Sequence, residues 1–278
     1  MSRPNCIITG ASGGIGSALA LHMADRGYDL ILHSRTTASL KPLLKTIDAG
    51  QFDVLVSIIA ADLDTSHSVC QLGDQLSQMA PKLNILFNCA GVLLDGIHIS
   101  KDGMDMHTQI NLLAPYILMQ KLKPNVSLTQ GTILNIASGS ALAVKQLDIK
   151  RLIRPTKAIK LFGTYAESKL ALALITEALA QQFMSDGVRL VCAAPGPTKA
   201  NMTSGAGMPK FLLWLRPFLY SSPEQSATKI YLAYQAAQSY PTSGQFFSGK
   251  RVKPLPHFLY QSTIADQLID FCQSYIDN

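Results

Sequence analysis

Short apolar runs alternate with longer amphipathic stretches along most of the chain. Residues 6–9 predict a strand, and 14–26 a helix whose Leu19 and Met23 share one face. The alternation then repeats. Strands are predicted at 29–33, 52–59, 83–88, 132–136 and 189–194. Helices are predicted near 38–48 and at 65–79, 103–122 (containing Pro115) and 164–185. Strands that are apolar throughout and separated by helices are covered on both faces, which predicts a parallel sheet. Right-handed crossovers then lead to one α/β domain over residues 1–278, a doubly wound parallel sheet of about seven strands with helices on both faces.

Two stretches break this rhythm. Residues 139–163 carry Lys145, Lys150, Arg151, Arg154, Lys157 and Lys160 and end at Gly163; residues 197–222 carry Pro197, Pro209, Pro217 and an apolar run at 211–215. Long connections inside a compact domain are usually functional or disordered.

Composition narrows the class. Of 278 residues, 47% are apolar and only 15% charged, the reverse of a disordered chain. The formal charge is +6, yet the basic residues form no dense run with interleaved aromatics, so nucleic acid is not expected as a partner. No window reaches the ~18 apolar residues of a membrane span, and the N-terminal apolar run is too short for a signal peptide. Cys6, Cys70, Cys89, Cys192 and Cys272 form no CxxC pair, and the histidines lack ligand spacing. Reduced thiols, a cytoplasmic setting and no metal site are the expectation.

The chemistry begins where the first strand runs into Thr9-Gly10-Ala11-Ser12-Gly13-Gly14-Ile15-Gly16 and opens a helix. Glycines permit the tight turn and let backbone N–H groups approach a pyrophosphate, whose charge a helix N-terminus favours. The second strand ends in His33-Ser34-Arg35, and the nearest acid, Asp29, lies at its other end. A guanidinium there, with no carboxylate to repel a 2′-phosphate, points to NADP(H) rather than NAD.

These residues resemble the short-chain dehydrogenase/reductases. The TGxxxGxG spacing at 9–16 matches that family, followed in order by Asp62-Leu63, Asn88-Cys89-Ala90-Gly91, Asn111, Ser138, Tyr165-Ala166-Glu167-Ser168-Lys169 and Pro195-Gly196. Within it, the retinol dehydrogenase-like and WW-domain-containing oxidoreductase-like branch is the most similar. The likeness rests on Asp102-Gly103-Met104, the long Ser138-to-Tyr165 spacing, Ser222-Pro223-Glu224-Gln225 and Ser243-Gly244-Gln245-Phe246-Phe247. That branch often carries an N-terminal membrane anchor; this chain starts at its first strand, so none is expected.

The resemblance implies a Rossmann fold and an NADP(H)-dependent oxidoreductase that interconverts a carbonyl and an alcohol. It implies cofactor contacts from Gly10, Ser12, Gly14, Ile15, Gly16, Ser34, Arg35, Asp62, Leu63, Asn88, Ala90, Gly91, Tyr165, Lys169, Pro195, Gly196 and Thr198. It makes Tyr165 the general acid/base, Lys169 its pKa modulator and a ribose ligand, and Ser138 the hydroxyl orienting the substrate oxygen. Asn111 becomes a helix-distorting residue feeding a proton-relay water. Ser140, two residues from Ser138, is a rival for its role. Lowering the phenol of Tyr165 from near pH 10 towards neutrality takes ~4 kcal/mol of electrostatic help. Lys169, one helical turn away, and the oxidised nicotinamide's charge are expected to supply it.

Ala200 stands where the family usually has Thr or Ser, with Thr198 the replacement contact. By the same resemblance 197–222 forms the substrate lid, whose apolar run suits a small apolar or aromatic carbonyl or alcohol. The alternative is a catalytically weak NADP(H)-binding redox sensor or scaffold. The many-sided apolar character of 164–185 fits a homodimer or homotetramer interface, or deep burial.

Overall fold

The computed structural model describes residues 3–199, 220–261 and 263–276. Its strands are β1 (Asn5–Ile8), β2 (Asp29–Ser34), β3 (Val56–Ala60), β4 (Ile85–Asn88), β5 (Thr132–Ile136), β6 (Arg189–Ala194), β7 (Phe246–Ser248) and β8 (Arg251–Lys253). Among the described residues they form one sheet, in the order β3-β2-β1-β4-β5-β6-β7-β8. All neighbours are parallel except β7 and β8.

Strand side chains alternate between two cores. Ile7, Ile31, Leu86, Ile133 and Leu190 join one; Ile8, Leu32, Phe87, Leu134 and Val191 join the other. On the first face lie α3 (Ser66–Met79), α5 (Ala114–Ser127), α7 (Thr164–Ala178) and α10 (Ile264–Gln273). On the second lie α1 (Gly14–Ala24), α2 (Lys41–Ala49) and α9 (Pro223–Gln238). The described residues also include the short α4 (Met106–Thr108), α6 (Ile149–Ile153) and α8 (Ala180–Ser185). The doubly wound α/β architecture is therefore as expected from the apolar pattern.

Several particulars differ. The sheet has eight strands rather than about seven, and its last is antiparallel. With three residues each, and β8 exposed throughout, β7 and β8 are too short to leave an apolar run in the sequence. The helix expected at 103–122 is a composite. After α4 comes a π turn (Gln109–Leu113), then α5, whose first turn accommodates Pro115 because an N-terminal proline sacrifices no intrahelical bond. The helix expected at 164–185 divides at Leu179 into α7 and α8.

The basic stretch 139–163 contains a 3₁₀ turn (Gly139–Ala143) and α6. Arg151 pairs with Glu167 at 2.7 Å, and Arg154 Nε donates to the Gly103 carbonyl at 3.3 Å. Every residue of α7 from Tyr165 to Thr176 is buried within the chain. The covering helix α10 buries Leu268 and Cys272, and Tyr116 Oη on α5 donates to Gln273 Oε1 at 2.8 Å. No helix of the described residues is long and apolar enough to cross a membrane. The expected lid falls largely in 200–219, outside the described residues, as do Ala200 and Trp214.

Candidate active site

The site forms at the C-terminal ends of the strands, starting at the turn between β1 and α1. Gly10 sits at φ +67°, and a Cβ there would lie 2.7 Å from Ala90 Cα. A Cβ on Gly16 would lie 2.3 Å from the Gly10 carbonyl oxygen, so the turn closes only because both side chains are missing. Gly13 is the N-cap of α1 and supplies no side-chain cap, which leaves the helix N-terminus open to an anion. Thr9 Oγ1 accepts from the Cys89 and Ala90 N–H groups, both at 3.0 Å, binding the turn to the end of β4.

His33 anchors the turn on its other side, a part that sequence reasoning missed. Its Nδ1 accepts from Gly10 N at 3.4 Å and its Nε2 donates to Ala61 O at 3.1 Å. Burial lowers its pKa and so favours the neutral ring that this pair of bonds requires. A buried histidine ending an otherwise apolar strand was the available signal.

A cavity of about 720 Å³ runs from this turn across the sheet edge. Its walls include Gly10, Ser12, Gly14, Ile15 and Gly16 of the turn, with Ser34, Arg35, Asp62 and Leu63 after β2 and β3. Ala90, Gly91, Ser138, Ser140, Tyr165, Pro195, Gly196 and Thr198 line the remainder, alongside apolar Leu93, Leu161, Phe162 and Tyr220. Arg35 is exposed, while Ser34 Oγ is occupied locally with Thr36 O at 2.7 Å.

Asn88 departs from expectation. Its amide does not line the cavity but donates to Asn135 Oδ1 at 2.8 Å, joining β4 to β5. A buried amide has to bond something, and the adjacent strand is nearest. Asn111 and Lys169 lie just behind the wall: a Cβ on Gly91 would be 3.0 Å from Asn111 Oδ1 and 3.4 Å from Lys169 Nζ.

Asn111 falls in the π turn. Its side-chain amide pairs with the Val92 backbone in both directions, at 2.9 and 3.0 Å. Ser138 caps the 3₁₀ turn with its hydroxyl 2.9 Å from that of Ser140. Burial raises the pKa of Tyr165, and a hydrogen bond with Ser138 draws it partly back.

Lys169 Nζ donates to the Ile136 carbonyl at 2.7 Å, and desolvation lowers its pKa to about 8. Thr198 is buried; its hydroxyl donates to Gly196 O at 3.0 Å and lies 2.7 Å from Ser226 Oγ.

A glycine-rich turn, an uncapped helix N-terminus and the Tyr165 and Ser138 side chains meet in one cavity of a doubly wound α/β domain, an arrangement of the oxidoreductase class. The chain belongs to the short-chain dehydrogenase/reductase family. A family model described as enoyl-(acyl carrier protein) reductase matches residues 10–217. Human dehydrogenase/reductase SDR family member 13 is 28% identical over 90% of this chain and 67% of its own. Human retinol dehydrogenase 13 is 28% identical over 90% and 78%. Among solved structures, a protein of Mycobacterium paratuberculosis superposes with a TM-score of 0.74 at 21% identity, covering 100% of this chain and 96% of that one. A short-chain dehydrogenase of Sphingobium yanoikuyae in complex with NADPH gives 0.67 at 21% identity, over 99% and 95%.

Proposed function

We propose that this protein is an NADP(H)-dependent oxidoreductase that interconverts a carbonyl and an alcohol on a small apolar or aromatic substrate. The observation carrying this reading is that Tyr165 and Ser138 share one cavity with the open N-terminus of α1. The residues fit a dinucleotide because the α1 N-terminus, capped only by Gly13, opens into the cavity where a pyrophosphate would approach its N–H groups. Bound there, the dinucleotide supplies the hydride.

The chain's own groups do the remainder. Ser138 orients the substrate oxygen by hydrogen bonding, and Tyr165 delivers its phenolic proton to that oxygen in reduction, or takes it back in oxidation. Burial keeps the phenol protonated at neutral pH, which suits the acid role in reduction. Lys169, behind Gly91, places a cation beside the Ile136 carbonyl, where it would meet the ribose. Asn111, through the π turn, keeps the Val92 segment fixed against the same wall. Leu93, Leu161, Phe162 and Tyr220 give the substrate end an apolar lining.

NADPH oxidation against aldehydes, ketones and quinones tests the reading. Removing the phenolic proton donor in Tyr165→Phe is expected to lower kcat by about 10²–10⁴-fold while NADPH still binds. Near-native turnover by Tyr165→Phe would sink the mechanism. NADPH binding by the unaltered protein with no turnover on the whole panel would favour a sensor or scaffold.

A further inference from the structure

Two buried titratable residues touch the candidate centre without a role in the reaction above. Asp105 and His107 are 0% and 3% exposed, and the His107 ring meets the Tyr165 ring edge-on, with centroids 6.1 Å apart at 77°. His107 Nε2 accepts from the Leu94 N–H at 3.0 Å. A backbone N–H only donates, so Nε2 carries no hydrogen and the ring's hydrogen resides on Nδ1. That nitrogen faces Asp105 Oδ1 at 3.0 Å and Thr164 Oγ1 at 3.1 Å.

Asp105 is itself held in place. It caps α4 by accepting the His107 N–H at 3.0 Å, and its own N–H donates to Ile153 O at 2.7 Å. One imidazole thus joins three pieces of the site wall: the segment after β4, the start of α4, and Thr164, the first residue of the helix that carries Tyr165. Leu93 and Leu94 line the cavity, and Leu93 packs with Tyr165.

We infer that His107, oriented by Asp105 as its neutral Nδ1–H tautomer, is a positioning residue that holds Tyr165 and the Leu93–Leu94 wall in register for proton transfer. The inference rests on the reading of Tyr165 as general acid. A side chain locked by hydrogen bonds behind a reacting group preserves its geometry, and misplacement of about 1 Å costs up to about 10²-fold in rate.

The charged groups facing the ring are few. Asp105 lies against Nδ1, and Asp95 shares the walls of a small recess with His107. Glu167 acts on Asp105 from α7 and is itself paired with Arg151 at 2.7 Å. Tyr165 presents only its ring edge.

Three variants with NADPH and p-nitrobenzaldehyde as probes test this. His107→Phe fills the space but accepts nothing from Leu94. It is expected to lower kcat about 10–100-fold with NADPH affinity unchanged. His107→Gln offers an oxygen to the Leu94 N–H. It is expected to recover most of kcat. Wild-type kcat in His107→Phe, or no recovery in His107→Gln, overturns the inference.

Tyr165→Phe separates the two readings. If it turns over at the native rate, the general-acid assignment fails. If it is inactive while His107→Phe is not, only the positioning role fails. Independently of turnover, nitrogen NMR of the labelled protein at neutral pH is expected to show the Nδ1–H tautomer at His107. An Nε2–H ring would overturn the inference as well.

Discussion

Lys169 concentrates the electrostatics of this site in one side chain. The sequence placed it one helical turn from Tyr165, but only the folded chain shows that its ammonium is desolvated and spent on the Ile136 carbonyl. A lysine with a folded pKa of about 8, against 10.5 for the free side chain, makes the unfolded chain the better proton binder between those values. Stability therefore gains from this group as pH rises from about 8 towards 10.5, and the gain is absent below about 8. Lys169→Met should flatten that part of the stability profile. The check is urea midpoints of both proteins across this range; parallel profiles would contradict the desolvation. His33 teaches the same lesson: its residue type was legible, whereas its bond to Gly10 N depends on where the chain returns.

At the scale of elements, the helices α7 and α10 explain why a many-sided apolar segment need not be an interface. Helix α7 is buried on the sheet side by the strands and on the outer side by α10, whose Leu268 and Cys272 are inaccessible. Leu268→Ala is expected to cost about 2–5 kcal/mol through the cavity it leaves. This should appear as a lower urea midpoint with unchanged KM for NADPH, since Leu268 lies away from the cavity walls. No loss of stability would mean that α10 is not packed as described. The π turn is an element that periodicity conceals. A single extra residue per turn shifts the apolar phase only locally, and Asn111 earns its position from its bonds to Val92, a contact across 19 positions.

Across the whole molecule, β1 is flanked by β2 on one side and β4 on the other, so chain direction around the sheet reverses there and a crevice opens. The cavity follows that crevice from Arg35 at one end to Thr198 at the other. Arg35→Ala is expected to weaken NADPH binding about 10–100-fold, from the loss of charge-assisted bonds, and to leave NADH binding nearly unchanged. Fluorescence titrations with both dinucleotides decide it; equal losses would assign Arg35 no role at the 2′-phosphate.

The amino-acid order alone determined the doubly wound sheet, the phosphate turn and the Tyr165–Lys169 pair, because each is written in local periodicity or in short spacing. Tertiary structure decided the β7–β8 hairpin, the turn of Asn88 into the sheet, and the surroundings of Lys169 and His107. Those outcomes depend on burial and on hydrogen-bond partners from distant segments. Neither is encoded in any short stretch of the chain.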